Sequence, residues 1–219
     1  MSPTLPIAAL FATISQVPTE PASEAANRAS LERMVADLSD LDVSLAVEPP
    51  EAIAFRRAPV LRWNNLIRNV DAAAVFVGLS AERPELVATV MSYRDAGNNP
   101  RRAYELLSLS ARPVEAFQDG ARVWRCEHAG LEWQSVPNAP LPAETPAERR
   151  RQMRELAAAF QAAAESDRNR YELRLLSQPL CRYQKPASGI LDGALFAFVE
   201  GTDPELILVI ESPRDVLML

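Results

Sequence analysis

The chain has 219 residues, enough for one large domain or two small packed lobes around a substantial core. Hydrophobic residues make up 48% and charged ones 24%, as in a globular protein, and the formal net charge of −6 works against phosphate backbones and anionic lipid, whose binding rests on Lys and Arg. Nucleic acid and a membrane surface are thus excluded as expected partners.

Of the 23 basic residues only Lys185 is a lysine, so Schiff-base chemistry has one candidate. Two cysteines, Cys126 and Cys181, are too few for a disulfide scaffold and form no C-x-x-C pair, so no metal or other cofactor is expected. The first residues, "MSPTLPIAALFATISQ", lack a basic n-region and contain proline, which makes a poor signal peptide and assigns the chain to a reducing cytoplasm.

Residues 1–22 hold four prolines and little period, and read as an extended tail. Leu31, Met34, Val35, Leu38 and Leu41 then recur at helical spacing, with Glu32, Arg33 and Asp37 on the wet side, predicting an amphipathic helix over roughly 24–40. It opens a first α+β unit, 23–93, which continues through "EAIAFRRAPVLRW" into two apolar runs flanking the polar loop "SAERP".

Residues 94–144 are an excursion. "YELLSLSARPVEAF" and "QDGARVWRCEHAGLEWQSV" alternate around two turn signals, Gln118-Asp119-Gly120 and His128-Ala129-Gly130, predicting a three- or four-strand meander. The prolines of "PNAPLPAETP" make it a linker.

A second unit, 145–219, starts with a strongly signalled helix. Thr145 is placed to cap, Pro146 to fill the first turn and Glu148 to complete a capping box. The stripe Met153, Leu156, Ala157, Phe160 and Ala164 extends the predicted helix to about 166. Then the series of the first unit returns. An offset of 120 sets Pro59 on Pro179, Arg62 on Arg182 and Trp63 on Tyr183. One inserted residue sets Asp71 on Asp192, and Pro84-Glu85-Leu86 falls on Pro204-Glu205-Leu206. Each copy reads as helix, strand, proline-broken strand and hairpin, so the expected fold is α+β: two similar helix-plus-four-strand units, mainly antiparallel, joined into one globule. The runs "ALFAFV" and "LILVIE" are apolar at nearly every position, so both faces of those strands should be covered, with Phe196, Phe198, Leu206 and Leu208 expected to join the two units.

The hairpin "DGALFAFVEGTDPELILVIE", preceded by "LLSQPLCRY" and "RRRQMRELAAAF", resembles the C-terminal half of a family of uncharacterised bacterial proteins with similar D-G-A-L-F-A-F and G-T-D-P-E segments. The resemblance is best over 145–213 and weaker over 59–137. It implies a duplicated bacterial domain and assigns no activity or catalytic residue.

Few residues point to chemistry. His128, the only histidine, lies in a turn signal two residues from Cys126 and reads as solvated. Arg62 and Arg182, each followed by an aromatic residue (Trp63, Tyr183), read either as paired guanidiniums for an anion or as partners of repeated acids, Glu85 and Glu205 or Asp71 and Asp192. Asp192-Gly193 reads as turn chemistry. "ERRRQMRE" reads as a solvated helix face, its arginines fanning around the helix. Trp63, Trp124 and Trp133, the last two expected on adjacent strands, read first as core or sheet-face packing and otherwise as the lining of a ligand groove, the place to look first for a pocket. No catalytic set emerges. The expected role is a non-catalytic interaction or accessory module with a protein partner or self-association. The alternative is a small-molecule-binding protein or enzyme using a pocket between curved sheet and helix.

Overall fold

A computed structural model describes residues 21–165, 169–185 and 189–214. The expected N-terminal tail lies, up to residue 20, outside the described residues. The fold is α+β, and every strand pairing among the described residues is antiparallel.

Helix α1, Pro21–Ser39, buries Met34 and Leu38. Two short strands, β1 (Asp42–Leu45) and β2 (Glu51–Ala52), precede the first large sheet. That sheet is built on β5 (Val70–Ser80), with β3 (Ala54–Phe55) and β4 (Leu61–Asn65) sharing one of its edges and β6 (Arg83–Arg94) on the other. β7 (Pro100–Ser108) pairs along β6. β8 (Val114–Gln118) and β9 (Ala121–Cys126) form a hairpin whose first strand pairs with β1, making a separate four-stranded sheet.

The second unit repeats this plan. Helix α2, Pro146–Ala158, begins with the expected capping box: Thr145 Oγ1 accepts from the Glu148 amide at 3.3 Å. β10 (Ala162–Glu165) pairs with β11 (Arg170–Leu175). β11 and β12 (Cys181–Lys185) share one edge of β13 (Ile190–Glu200), and β14 (Asp203–Pro213) pairs along the other.

The two hairpins match residue for residue at the single offset of 120. Leu61 pairs with Val75 as Cys181 pairs with Leu195, and Phe76 pairs with Ala88 as Phe196 pairs with Leu208. The irregularities coincide too, between Val70 and Ala72 and between Ile190 and Asp192. Asp192 is therefore the counterpart of Ala72, not of Asp71; the inserted residue expected from sequence is absent. Both units carry the bulge at this point, with Asp71 and Leu191 as the extra residues, so the two strands keep the same length.

Four other expectations are corrected. The second helix ends at Ala158, because Ala162–Glu165 exchange helical bonds for pairing with β11. The meander splits, β7 joining the first sheet while β8 and β9 join β1. Residues 131–136 form no strand: Gly130 packs so closely on the Ser108 carbonyl that an added Cβ would lie 2.1 Å from it, and the chain then runs on as an irregular strap. Finally, the residues joining the units have the opposite parity. Phe196 and Leu208 face α2 together with Met153 and Ala157, and Leu206 is 40% exposed. Leu195, Ile207 and Val209 make the join instead, packing with Trp63, Val75, Val77 and Val87.

The result is four layers: α1 with the small sheet, the first large sheet, the second large sheet, and α2. Alternate residues of β5 face outward (Ala74, Phe76) and inward (Val75, Val77), so neither face of the strand is wet. The inter-sheet contacts have an approximate twofold character, since β4 touches β14 and β12 touches β6. Phe76 and Phe196 are equivalent and each is 1% exposed. Truncating either to alanine is expected to cost about 3–5 kcal/mol as a large-to-small core change, by similar amounts in the two units. Denaturant unfolding of Phe76→Ala and Phe196→Ala checks this; a large effect in one unit alone would break the equivalence.

Candidate functional site

Trp63 and Tyr183 both point into the inter-sheet core, at equivalent positions. Their neighbours Arg62 and Arg182 point the other way, to the outer faces of two different sheets, so the two guanidiniums do not converge. Arg62 is exposed and makes no ion pair among the described residues. Arg182 donates to Asp192 and to the Pro146 carbonyl, the latter at 2.9 Å.

Asp192 is 1% exposed and gathers a second arginine, Arg149, whose Nε lies 3.4 Å away. Arg149 also donates to the carbonyls of Ala143 and Glu144 at 2.9 and 2.7 Å. One arginine of "ERRRQMRE" is therefore buried, contrary to the solvated reading, and it ties the start of α2 to β13. Gly193 is likewise not there for a turn: a Cβ on it would meet the Tyr183 ring at 2.3 Å. The pair Asp192-Gly193 serves an ion cluster on one face and an aromatic ring on the other.

His128 is exposed, and Cys126 donates to its backbone carbonyl at 3.3 Å rather than to its ring. Burial pushes the Cys181 thiol up to about 11, which removes it as a nucleophile near neutral pH. Trp124 packs partly buried against the first unit's outer core, away from Trp133.

At each end of the inter-sheet core the hairpin of one unit docks on the other. At one end Arg68 reaches Glu200, Asp203 and Glu205 of the β13–β14 hairpin, and Thr202 donates to the Asn64 carbonyl at 2.6 Å. At the other, Arg83 of the β5–β6 hairpin contacts Glu85 and Glu211, each at 3.2 Å, and lies over the Trp133 ring, 5.6 Å from its centroid. The Tyr183 hydroxyl donates to the same Glu211 oxygen. Burial, reinforced by the charge of Glu211, drives the Tyr183 hydroxyl far above the ordinary range, so it stays a donor. Arg83 and Glu211 escaped the sequence reading; Glu211 had a signal, a charge ending the apolar run "LILVIES", whereas Arg83 sits among the polar residues of a hairpin loop.

Beside this network opens a groove with a volume of about 630 Å³. Leu208–Pro213, six consecutive residues of β14, line one wall. Consecutive residues point to alternate faces of a sheet, so only the edge of the strand can present all six. Met153, Leu156 and Phe160 form the floor, and the strap from Glu132 to Pro142 forms the far wall. Gln152 holds the strap, donating to the Leu141 carbonyl at 3.0 Å and accepting from the Ala143 amide at 2.8 Å. Trp133, 44% exposed, belongs to this strap and lines the groove, so the site the tryptophans pointed to exists with only one of them.

No family model, curated protein or solved structure matches this chain. Among the described residues no cluster of His, Cys, Asp and Glu could hold a metal ion, and no helix is long and apolar enough to cross a membrane.

Asp203 supplies a pH test of the docked hairpin. Burial, with Glu205 alongside, raises its carboxyl from 3.8 to about 6 against the opposing pull of Arg68. A raised folded-state value means the native state binds the proton more tightly, so this contribution to stability is full below 3.8 and lost as pH rises through about 6. The parent should lose stability relative to Asp203→Asn across that window. Denaturant midpoints measured against pH read it, and a flat difference would put the carboxyl at its ordinary value.

Proposed function

We propose that the protein is a non-catalytic interaction module that takes an extended segment of another polypeptide as an added strand on β14. The observation that carries this is the contrast between equivalent strands. β6 is paired on both edges and Leu86 is 0% exposed; β14 is paired only with β13 among the described strands, and its counterpart Leu206 is 40% exposed. An unpaired edge presents amides and carbonyls ready to pair, and main-chain bonds give such strand addition its affinity.

The direction of those groups follows from the repeat. Leu109 donates to the Glu85 carbonyl, so odd-numbered residues of β6 face β7, while Arg94 donates inward to the Asn69 carbonyl. Arg214 donates inward to Gly189 in the same way. Carried over, Ile207, Val209 and Glu211 aim their backbone groups outward, the last two into the groove.

A small-molecule ligand is the second reading, favoured by a volume within the range of ligand pockets and by apolar walls beside a carboxylate. Val209→Pro separates the two. Proline removes an outward N–H that the β13 ladder does not use, and edge strands tolerate it. Linear peptides selected on the parent protein should lose roughly tenfold or more in affinity for folded V209P, the equivalent of about one main-chain hydrogen bond. Peptides that bind both proteins equally would rule out strand addition, and small molecules bound equally by both would favour the second reading.

A further inference from the structure

The segment that β14 accepts has a definable chemistry, an inference that rests on the strand-addition reading above. We infer that it is an apolar strand with basic residues at the end lying against Ser212 and Pro213.

The charge of the groove is the first argument. Its lining contains two carboxylates, Glu132 and Glu211, and no lysine, arginine or histidine. Glu132 is exposed and makes no ion pair among the described residues. Glu211 engages Arg83 and Tyr183 through Oε1 alone, which leaves its Oε2 with accepting capacity. Arg214 stands just past the end of β14 and is not part of the lining. A neutral or acidic occupant would leave Glu132 facing a low-dielectric contact without a counter-charge, and Glu211 with only the Arg83 that it shares with Glu85.

The repeat is the second, independent argument, because the first unit contains its own occupant of the same edge. There β7, "PRRAYELLS", covers β6 with Arg102 opposite Ser92, Arg101 opposite Tyr93, and Leu106 and Leu107 opposite Ala88 and Val87. At the offset of 120 these positions face Ser212, Pro213, Leu208 and Ile207. A segment of this kind places leucines over the apolar half of β14 and arginines beside Glu211, on the side of the strap that carries Glu132. In the first unit both arginines find carboxylates, Arg101 on Asp95 at 2.9 Å and Arg102 on Asp37 at 2.8 Å.

The test uses the full chain and two labelled synthetic peptides: the β7 sequence, residues 100–108, and the same peptide with both arginines replaced by glutamate. Fluorescence anisotropy should show the arginine peptide binding at least tenfold more tightly, with the gap narrowing on Glu132→Lys and binding lost on Val209→Pro. Equal affinity of the two peptides, with both still sensitive to V209P, would sink the basic preference while leaving strand addition intact. No binding of either peptide also overturns this inference, and the peptide selection then decides the strand reading by itself. Two further outcomes would assign the edge elsewhere and overturn the proposal: a dimer in sedimentation that V209P dissociates, which makes a second copy the occupant, or binding that appears only when residues 1–20 are deleted.

Discussion

The structure depends on two sheets packing face to face. β5 and β13 are apolar at nearly every position, so each needs cover on both sides: a helix outside, the other sheet inside. Burying a residue such as Val75 or Leu195 in that inner layer contributes about 1.5–3 kcal/mol, and the layer draws on both units. Because the same surfaces meet from the two sides, the join has the logic of an isologous dimer interface held within one chain. A true dimer must repeat its contacts at both ends. Here one end sets Arg68 against Glu200, Asp203 and Glu205, and the other sets Arg83 against Glu85 and Glu211, so the arginine comes from the first unit both times. Duplication within one chain allowed the two ends to diverge.

The repeat was legible because prolines, arginines and aromatic residues recur where generic strand pattern does not require them. The start of α2 was legible for a similar reason, capping being local chemistry. Side-chain parity was not. A strand buried on both faces carries no alternation, so nothing in "ALFAFV" says which phenylalanine meets the helix; the bulges of β13 decide it. The end of α2 was hidden for another reason. "AAAFQAAAES" suits a helix throughout, and only tertiary pairing with β11 makes its last residues a strand. Trp133 was assigned to a strand because its segment alternates, yet the contact of Gly130 with Ser108 turns the chain away from β9. The candidate groove was legible only through that tryptophan, since a strand edge belongs to the assembled sheet and leaves no local trace.

The two helices are held by different means, which explains how the shorter one suffices. α1 buries Met34 and Leu38 beside the small sheet, which shares its core and widens the cover. α2 has only 13 residues and no second sheet beside it. Arg149 adds an electrostatic tether, joining Asp192 on β13 to the carbonyls that precede the helix. Asp192 also takes Arg182, so the buried carboxylate meets two cations, although its Oδ1 has no hydrogen-bond partner. Such a cluster fixes geometry more than it stabilises, because desolvation offsets much of the attraction while the loss of one partner strands the rest. The first unit has alanine, Ala72, at the position of Asp192, and relies on packing area instead.

The same asymmetry governs the strand edges. A long apolar edge invites pairing with other sheets, and proteins blunt such edges with proline, charge or a covering segment. In the first unit β7 does this by pairing directly. In the second the devices are weaker and local: Pro213 offers no outward amide, Glu211 places a charge in the strand, and the strap from Glu132 to Pro142 stands beside β14 without pairing to it. A flat second sheet needs free approach along the whole edge, which the strap denies. A single extended chain needs only the width between strap and strand. Under the proposed strand addition, this arrangement discriminates by shape before any side chain is read, and the carboxylates of Glu132 and Glu211 then act on what fits.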